Sequence, residues 1–192
     1  MTISPQTPDP DYALHQGTLP RWQLDRLTGP EAGKVVEPLF HEYLTWVRDS
    51  LALDLEIAIK DDSDSRVHRT FNDEMPTIVG PRGRLVVARI DEEAVGVAAL
   101  KPVDAVTAEI KRVYVRPAVR GHGLARGMMD YLLSDARIEG YRRVRLESAR
   151  FMIAAHALYR SYGFVETTPF DGSEAASVGL GSIMLFMELQ LQ

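Results

Sequence analysis

The sequence predicts an α/β (α+β) protein with a mixed, mostly antiparallel central sheet of about 6–7 strands flanked by about 4 helices. Three observations carry this. The apolar runs Leu85–Ile90 and Ala94–Leu100 are separated only by Asp91-Glu92-Glu93, which reads as a hairpin. A long strand pattern, Thr107–Val115, is followed by a helical pattern, Gly123–Gly140, and a further strand, Val144–Glu147, the order that makes a parallel crossover. A last helix, Ile153–Tyr162, then leads to short strand patterns at Phe164–Glu166 and Ile183–Leu191.

Each element has a local reason. Residues 1–20 carry Pro5, Pro8, Pro10 and Pro20 and few large apolar groups, so they read as a disordered tail, with one domain over residues 21–192. Arg21–Leu27 alternates weakly and reads as a first strand. Glu31–Ser50 places Val35, Val36, Leu39, Phe40, Tyr43, Leu44 and Val47 at helical spacing, and Pro38 inside it predicts a kink or a start there. Leu53–Ile59 is apolar on alternate residues, Ser63–Phe71 reads as a short polar helix, and Gly80-Pro81-Arg82-Gly83 is a turn. In Gly123–Gly140 the stripe Leu124, Met128, Leu132 and Ala136, widened by Met129 and Leu133, predicts one buried helix face. Gly163 suits a left-handed helix end. Residues 167–182 read as a Gly/Ser-rich loop.

Composition narrows the function. The chain has 192 residues, 45% apolar and 26% charged, as in ordinary globular domains. It has no cysteine, which excludes disulfides, thiolate metal sites and a thiol nucleophile. The histidines show no metal-ligand spacing, so no metal is expected. A net charge of −5 argues against a nucleic-acid binder. With no membrane-length apolar run and no signal-peptide core, we expect a cytoplasmic protein that binds no membrane. Against the acidic background, residues 111–126 hold Lys111, Arg112, Arg116, Arg120 and Arg126 and no acid.

That basic stretch surrounds Arg120-Gly121-His122-Gly123-Leu124-Ala125, which runs into a helix. Glycines let backbone approach a ligand, and a helix N-terminus offers unpaired N–H groups and partial positive charge. The combination is an anion cradle, with phosphate the usual anion. Gly121-His122-Gly123-Leu124-Ala125-Arg126-Gly127 also approaches a dinucleotide fingerprint, with Glu147 where a ribose-binding acid would lie. Two features reject it. Arg116–Arg120, including Pro117, separates the strand from the first glycine, and only 45 residues follow Glu147, too few for a doubly wound sheet.

The better match is Arg-x-x-Gly-x-Ala after a strand ending Val-x-Val-x-Pro. Here the sequence resembles the GNAT N-acetyltransferase superfamily, whose signature is [Q/R]-x-x-G-x-[G/A]. Ala108–Val115 resembles the family's fourth strand, Leu158-Tyr159-Arg160-Ser161-Tyr162-Gly163-Phe164 its L-Y-x-x-x-G-F helix end, and Leu185–Leu189 a common last strand. The likeness covers residues 22–191 and implies a GNAT-like fold.

The resemblance implies an enzyme that transfers an acetyl group from acetyl-CoA to a primary amine of a small-molecule or peptide acceptor, by direct attack. The pyrophosphate would lie on backbone N–H groups of Gly121, His122, Gly123, Leu124 and Ala125, with Arg120 and Arg126 nearby; the His122 side chain reads as solvent-exposed. Val113, Tyr114 and Val115 would pair with the pantetheine arm like an added strand. Tyr159 would protonate the leaving thiolate, and Glu109 would take the proton of the incoming ammonium, with Glu147 as backup. Tyr162 is assigned to packing, and an ion pair with Lys111 or Arg112 is the plain reading of Glu109. Two departures stand out. Met152 replaces the Asn or Gln common seven residues before the tyrosine, and Pro169-Phe170-Asp171-Gly172 replaces paired aromatics near the acceptor site. Glu166, Asp171 and Glu174 hint at a cationic acceptor. Similar proteins often dimerise, so a homodimer is kept open. The alternative function is a non-catalytic CoA-binding sensor or subunit domain, which would need neither Tyr159 nor Glu109.

Overall fold

The structure is a computed structural model that describes residues 21–55, 72–173, 175 and 181–192. The expected tail over 1–20, most of the 53–59 pattern, the 63–71 pattern and Glu174 lie outside the described residues. Seven strands form one sheet: β1 (Trp22–Leu27), β2 (Arg84–Ile90), β3 (Glu93–Pro102), β4 (Thr107–Val115), β5 (Arg143–Ala149), β6 (Val165–Thr167) and β7 (Met184–Gln190). Their order is β1-β2-β3-β4-β5-β7-β6. Every neighbouring pair is antiparallel except β4 and β5. The helices are α1 (Ala32–Leu55), α2 (72–78), α3 (Leu124–Ile138) and α4 (Ile153–Ser161). The mixed sheet with its single parallel crossover, β4–α3–β5, follows the sequence reading.

Two apolar faces place the helices. Val86, Ala88, Ala98, Leu100, Ile110, Val144 and Leu146 point to one side of the sheet and meet the α3 stripe Leu124, Met128, Met129, Leu132, Leu133 and Ala136. Met128 and Leu132 are fully buried, each worth about 1.5–3 kcal/mol of transfer free energy. Alternate residues Leu85, Val87, Val97, Ala99 and Tyr114 point the other way and meet Val36, Leu39 and Phe40 of α1 and Ile78 of α2. Alternation along buried strands therefore builds two cores, one on each face of the sheet.

Three details differ from the sequence reading. Helix α1 runs through Pro38 and past Ser50 to Leu55, so the alternating pattern that begins at Leu53 starts inside a helix. Helix α2 has no counterpart in the sequence pattern. The β2–β3 hairpin closes with only Asp91 and Glu92, at φ 47° and 69°, the left-handed pair of a type I′ turn made without glycine.

The feature that shapes the site lies in β4. Its register against β3 slips, from Val97↔Tyr114 to Ala99↔Lys111, with Arg112 at φ 61°. This β-bulge adds a residue and sharpens the local twist. On its other edge β4 pairs with β5 only over Thr107–Glu109 and Arg143–Arg145. Beyond Glu109 the two strands diverge, while β3 holds the outer edge of β4 and β7 that of β5.

Candidate active site

The divergence opens a groove of about 460 Å³. Val113, Tyr114 and Val115 form one wall. The segment from Phe151 to Ala155, with Leu158 of α4, forms the opposite one, and the loop entering α3 closes the end. Of the residues expected at a coenzyme, Val113, Tyr114, Val115, Arg120, Gly121, Gly123, Leu124, Ala125 and Arg126 all line this groove. His122 does not. It is half-buried rather than solvent-exposed, and its Nδ1 lies 2.9 Å from the Arg120 carbonyl and 3.2 Å from that of Val119. Facing two acceptors, Nδ1 carries the proton.

The loop has the chemistry of an anion cradle. Arg120 N–H donates to the Pro117 carbonyl and Gly127 N–H to that of Gly123. Between them, the N–H groups of Gly121, His122, Gly123, Leu124 and Ala125 have no acceptor among the described residues. Gly121 and Gly123 sit at φ +82° and +84°, where a side chain is strained, and a Cβ on either would point into open space. Two guanidiniums flank the loop. Arg120 donates from Nε to the Val115 carbonyl at 2.9 Å and lies over the rings of Trp46 and Tyr114. Arg126 donates to Ser161 Oγ at 3.1 Å and lies over Tyr162. A ligand with a diphosphate at one end and an extended amide-bearing arm matches this donor set and groove.

Tyr159 and Glu109 do not line the groove but sit beside it. Tyr159 follows Leu158 on α4, is 5% exposed and packs on Phe164 with ring centroids 6.0 Å apart. Burial, with a smaller contribution from Tyr43, pushes its hydroxyl well above the usual tyrosine range. It is therefore a protonated donor throughout the neutral range. Glu109, 2% exposed, lies at the last β4–β5 pair. Its carboxylate is 3.1 Å from Arg145 Nε and 3.6 Å from Lys111 Nζ. The expected ion pair with Lys111 is thus present and joined by Arg145, whose guanidinium covers the Phe170 ring at 3.9 Å. Lys111, together with Lys101 and Arg112, also reaches Glu74 of α2. Burial alone would raise the Glu74 pKa, but Lys111 and Arg112 beside it and the lysine hydrogen bonds outweigh burial and hold the carboxyl below its ordinary range.

Several neighbours escaped the sequence reading. Trp46 of α1 lines the groove and meets Phe151 edge-on at 5.4 Å, so an aromatic pair spans its mouth. The one sequence cue was the pair Tyr43 and Trp46 on one side of α1. Met152 lines the groove in place of the family's usual polar side chain, and its sulfur is 3.4 Å from Ser148 Oγ. Ser148 in turn lies 3.2 Å from Nε2 of His156, whose pKa is lowered by burial and by Arg160. Tyr162, assigned to packing, donates to Asp130 at 2.6 Å; burial and that carboxylate push it up to about 12. Of the acids that hinted at a cationic acceptor, Glu166 is paired with Arg160 on the edge strand, and Asp171 offers its carbonyl to Arg145. No helix among the described residues is long and apolar enough to cross a membrane.

Known proteins show the family of this chain. Residues 43–164 match the family model of the Acetyltransferase (GNAT) family. An IAA acetyltransferase of Azospirillum brasilense is 30% identical over 119 residues, 62% of this chain and 74% of that protein. Human N-acetyltransferase 8 is 35% identical over 86 residues, 42% of this chain and 38% of that protein, so the chain spans under half of this relative's length. The fold matches a GNAT-family acetyltransferase of Staphylococcus aureus, with TM-score 0.63, 16% identity, and 88% and 100% of the two chains covered. It also matches a GNAT acetyltransferase of Elizabethkingia anophelis solved with acetyl-CoA bound, with TM-score 0.58, 16% identity, and 88% and 98% covered. The chain belongs to the GNAT family and is an acetyltransferase.

Proposed function

We propose that the protein moves an acetyl group from acetyl-CoA to a primary amine, with the thioester in the groove between β4 and β5 and the acceptor arriving from the side of α1. The observation that carries this is the run of N–H groups from Gly121 to Ala125 that have no acceptor among the described residues, at the end of a groove walled by the edge of β4 that pairs with β5 only as far as Glu109. Diphosphate oxygens accept from those N–H groups, with Arg120 and Arg126 adding charge. Pantetheine amides pair with Val113–Val115 as an added strand.

The amine nitrogen attacks the thioester carbonyl carbon directly. The carbonyl oxygen gains negative charge, which an N–H of the Val113 region stabilises. Collapse breaks the C–S bond, forms the amide and leaves a thiolate. Tyr159 gives this sulfur its proton, a role suited to a hydroxyl that burial keeps protonated, and the second proton, shed by the nitrogen as the amide forms, restores the hydroxyl. Glu109 takes the proton the ammonium must lose. Because Glu109 does not line the groove, that proton travels through water. No cysteine exists to form an acyl-enzyme.

Steady-state kinetics of Tyr159→Phe test the assignment. The expected result is a fall in kcat of about 10²-fold, the lower end of general-acid effects, with acetyl-CoA affinity retained. Unchanged turnover would remove Tyr159 from its role.

A further inference from the structure

Several carbonyls of the loop that enters α3 are held by groups of the protein itself. The indole Nε1–H of Trp22, on β1, donates to the His122 carbonyl at 3.2 Å across 100 residues of sequence. The His122 ring holds the carbonyls of Arg120 and Val119, and the Gly123 carbonyl is taken by Gly127 N–H. These loop carbonyls are thus engaged within the protein, and the intervening N–H groups are left for a ligand. The indole also packs where α3 lacks a side chain: a Cβ on Gly127 would lie 2.4 Å from Trp22 Cη2 and 3.0 Å from Cζ3. Gly127, which resembled the third glycine of a dinucleotide fingerprint, makes room for this ring.

We propose that Trp22 is a positioning residue for the coenzyme's diphosphate, acting through the His122 carbonyl to aim the N–H groups of Gly121–Ala125 into the groove. This rests on the coenzyme reading given above. Trp22 is not among the residues that line the groove. Its influence is confined to the loop, and it should discriminate ligands that carry a diphosphate from those that do not.

The test measures dissociation constants of coenzyme A, by calorimetry, and of pantetheine, by NMR titration, for wild type, Trp22→Phe and Gly123→Val. Phenylalanine keeps much of the packing and removes the donor. Losing one such hydrogen bond should weaken coenzyme A by roughly 3- to 10-fold and leave pantetheine within about twofold. Unchanged coenzyme A affinity in Trp22→Phe, with Gly123→Val severely weakened, would overturn the role of Trp22 and leave the cradle standing. Unchanged affinity in both variants would overturn the cradle itself. Equal weakening of both ligands in Trp22→Phe would show general loosening of the fold and also overturn the proposal. If Trp22→Phe fails to fold, Gly127→Ala, which displaces the same indole from the helix side, must show the same selective loss.

Discussion

At the scale of the residue, the two groups assigned to proton transfer are set apart by their surroundings. Tyr159 packs against Phe164 and keeps its proton; the Glu109 side chain lies between Arg145 and Lys111. Glu109→Gln should therefore lower kcat/KM most at neutral pH, where the amine is mostly ammonium, and much less at a pH where the amine is already free. A pH–rate profile with the same loss at every pH would reduce Glu109 to a structural partner of Arg145. His156 gives a stability prediction of definite sign. Burial lowers its pKa below the ordinary 6.5, so the unfolded chain binds the proton more readily than the folded one. Its contribution is complete above about pH 6.5 and is lost as pH falls below that value. Glu74, also depressed, adds its loss only below its ordinary 4.5. The melting temperature should fall between pH 7 and 5, and less steeply in His156→Gln; parallel curves would contradict this.

At the scale of the element, the hairpin between β2 and β3 offers a test of local strain. Asp91 and Glu92 both adopt left-handed conformations that an Asn-Gly pair adopts more readily. The double substitution Asp91→Asn with Glu92→Gly should stabilise the protein by about 1 kcal/mol, raising Tm by about 2–4 °C, and differential scanning calorimetry reads this directly. An unchanged or lower Tm would show that the turn stores no such strain. The same elements show what was legible in the chain. Strand β4 was readable to the residue, and the α3 stripe was readable because 3.6-residue periodicity is a local property. Helix α2 was not, because its carboxylate Glu74 is placed by Lys101, Lys111 and Arg112 from distant strands. The purpose of Gly127 was equally hidden, since the ring it accommodates lies on β1. Trp46 carried no signal in the sequence pattern, because local spacing says nothing about which groove a helix residue lines. The glycine loop that enters α3 and the helix that ends near Gly163 were legible because short-range motifs carry them.

At the scale of the whole molecule, the groove is a consequence of topology. Among the described strands, β4 and β5 are the only parallel neighbours, joined over a few residues and each tied on its outer edge to an antiparallel partner. A bulge on one of two strands so held can part them without dissolving the sheet. The crossover through α3 then delivers a helix N-terminus to the open end, where Arg120 and Arg126 line the groove. Fold, charge and donor placement converge on one ligand geometry. The most direct test is a crystal structure of the complex with acetyl-CoA. The predicted result has diphosphate oxygens accepting from the N–H groups of Gly121–Ala125 and the pantetheine arm paired with Val113–Val115. A diphosphate bound elsewhere, with those N–H groups facing solvent, would contradict it.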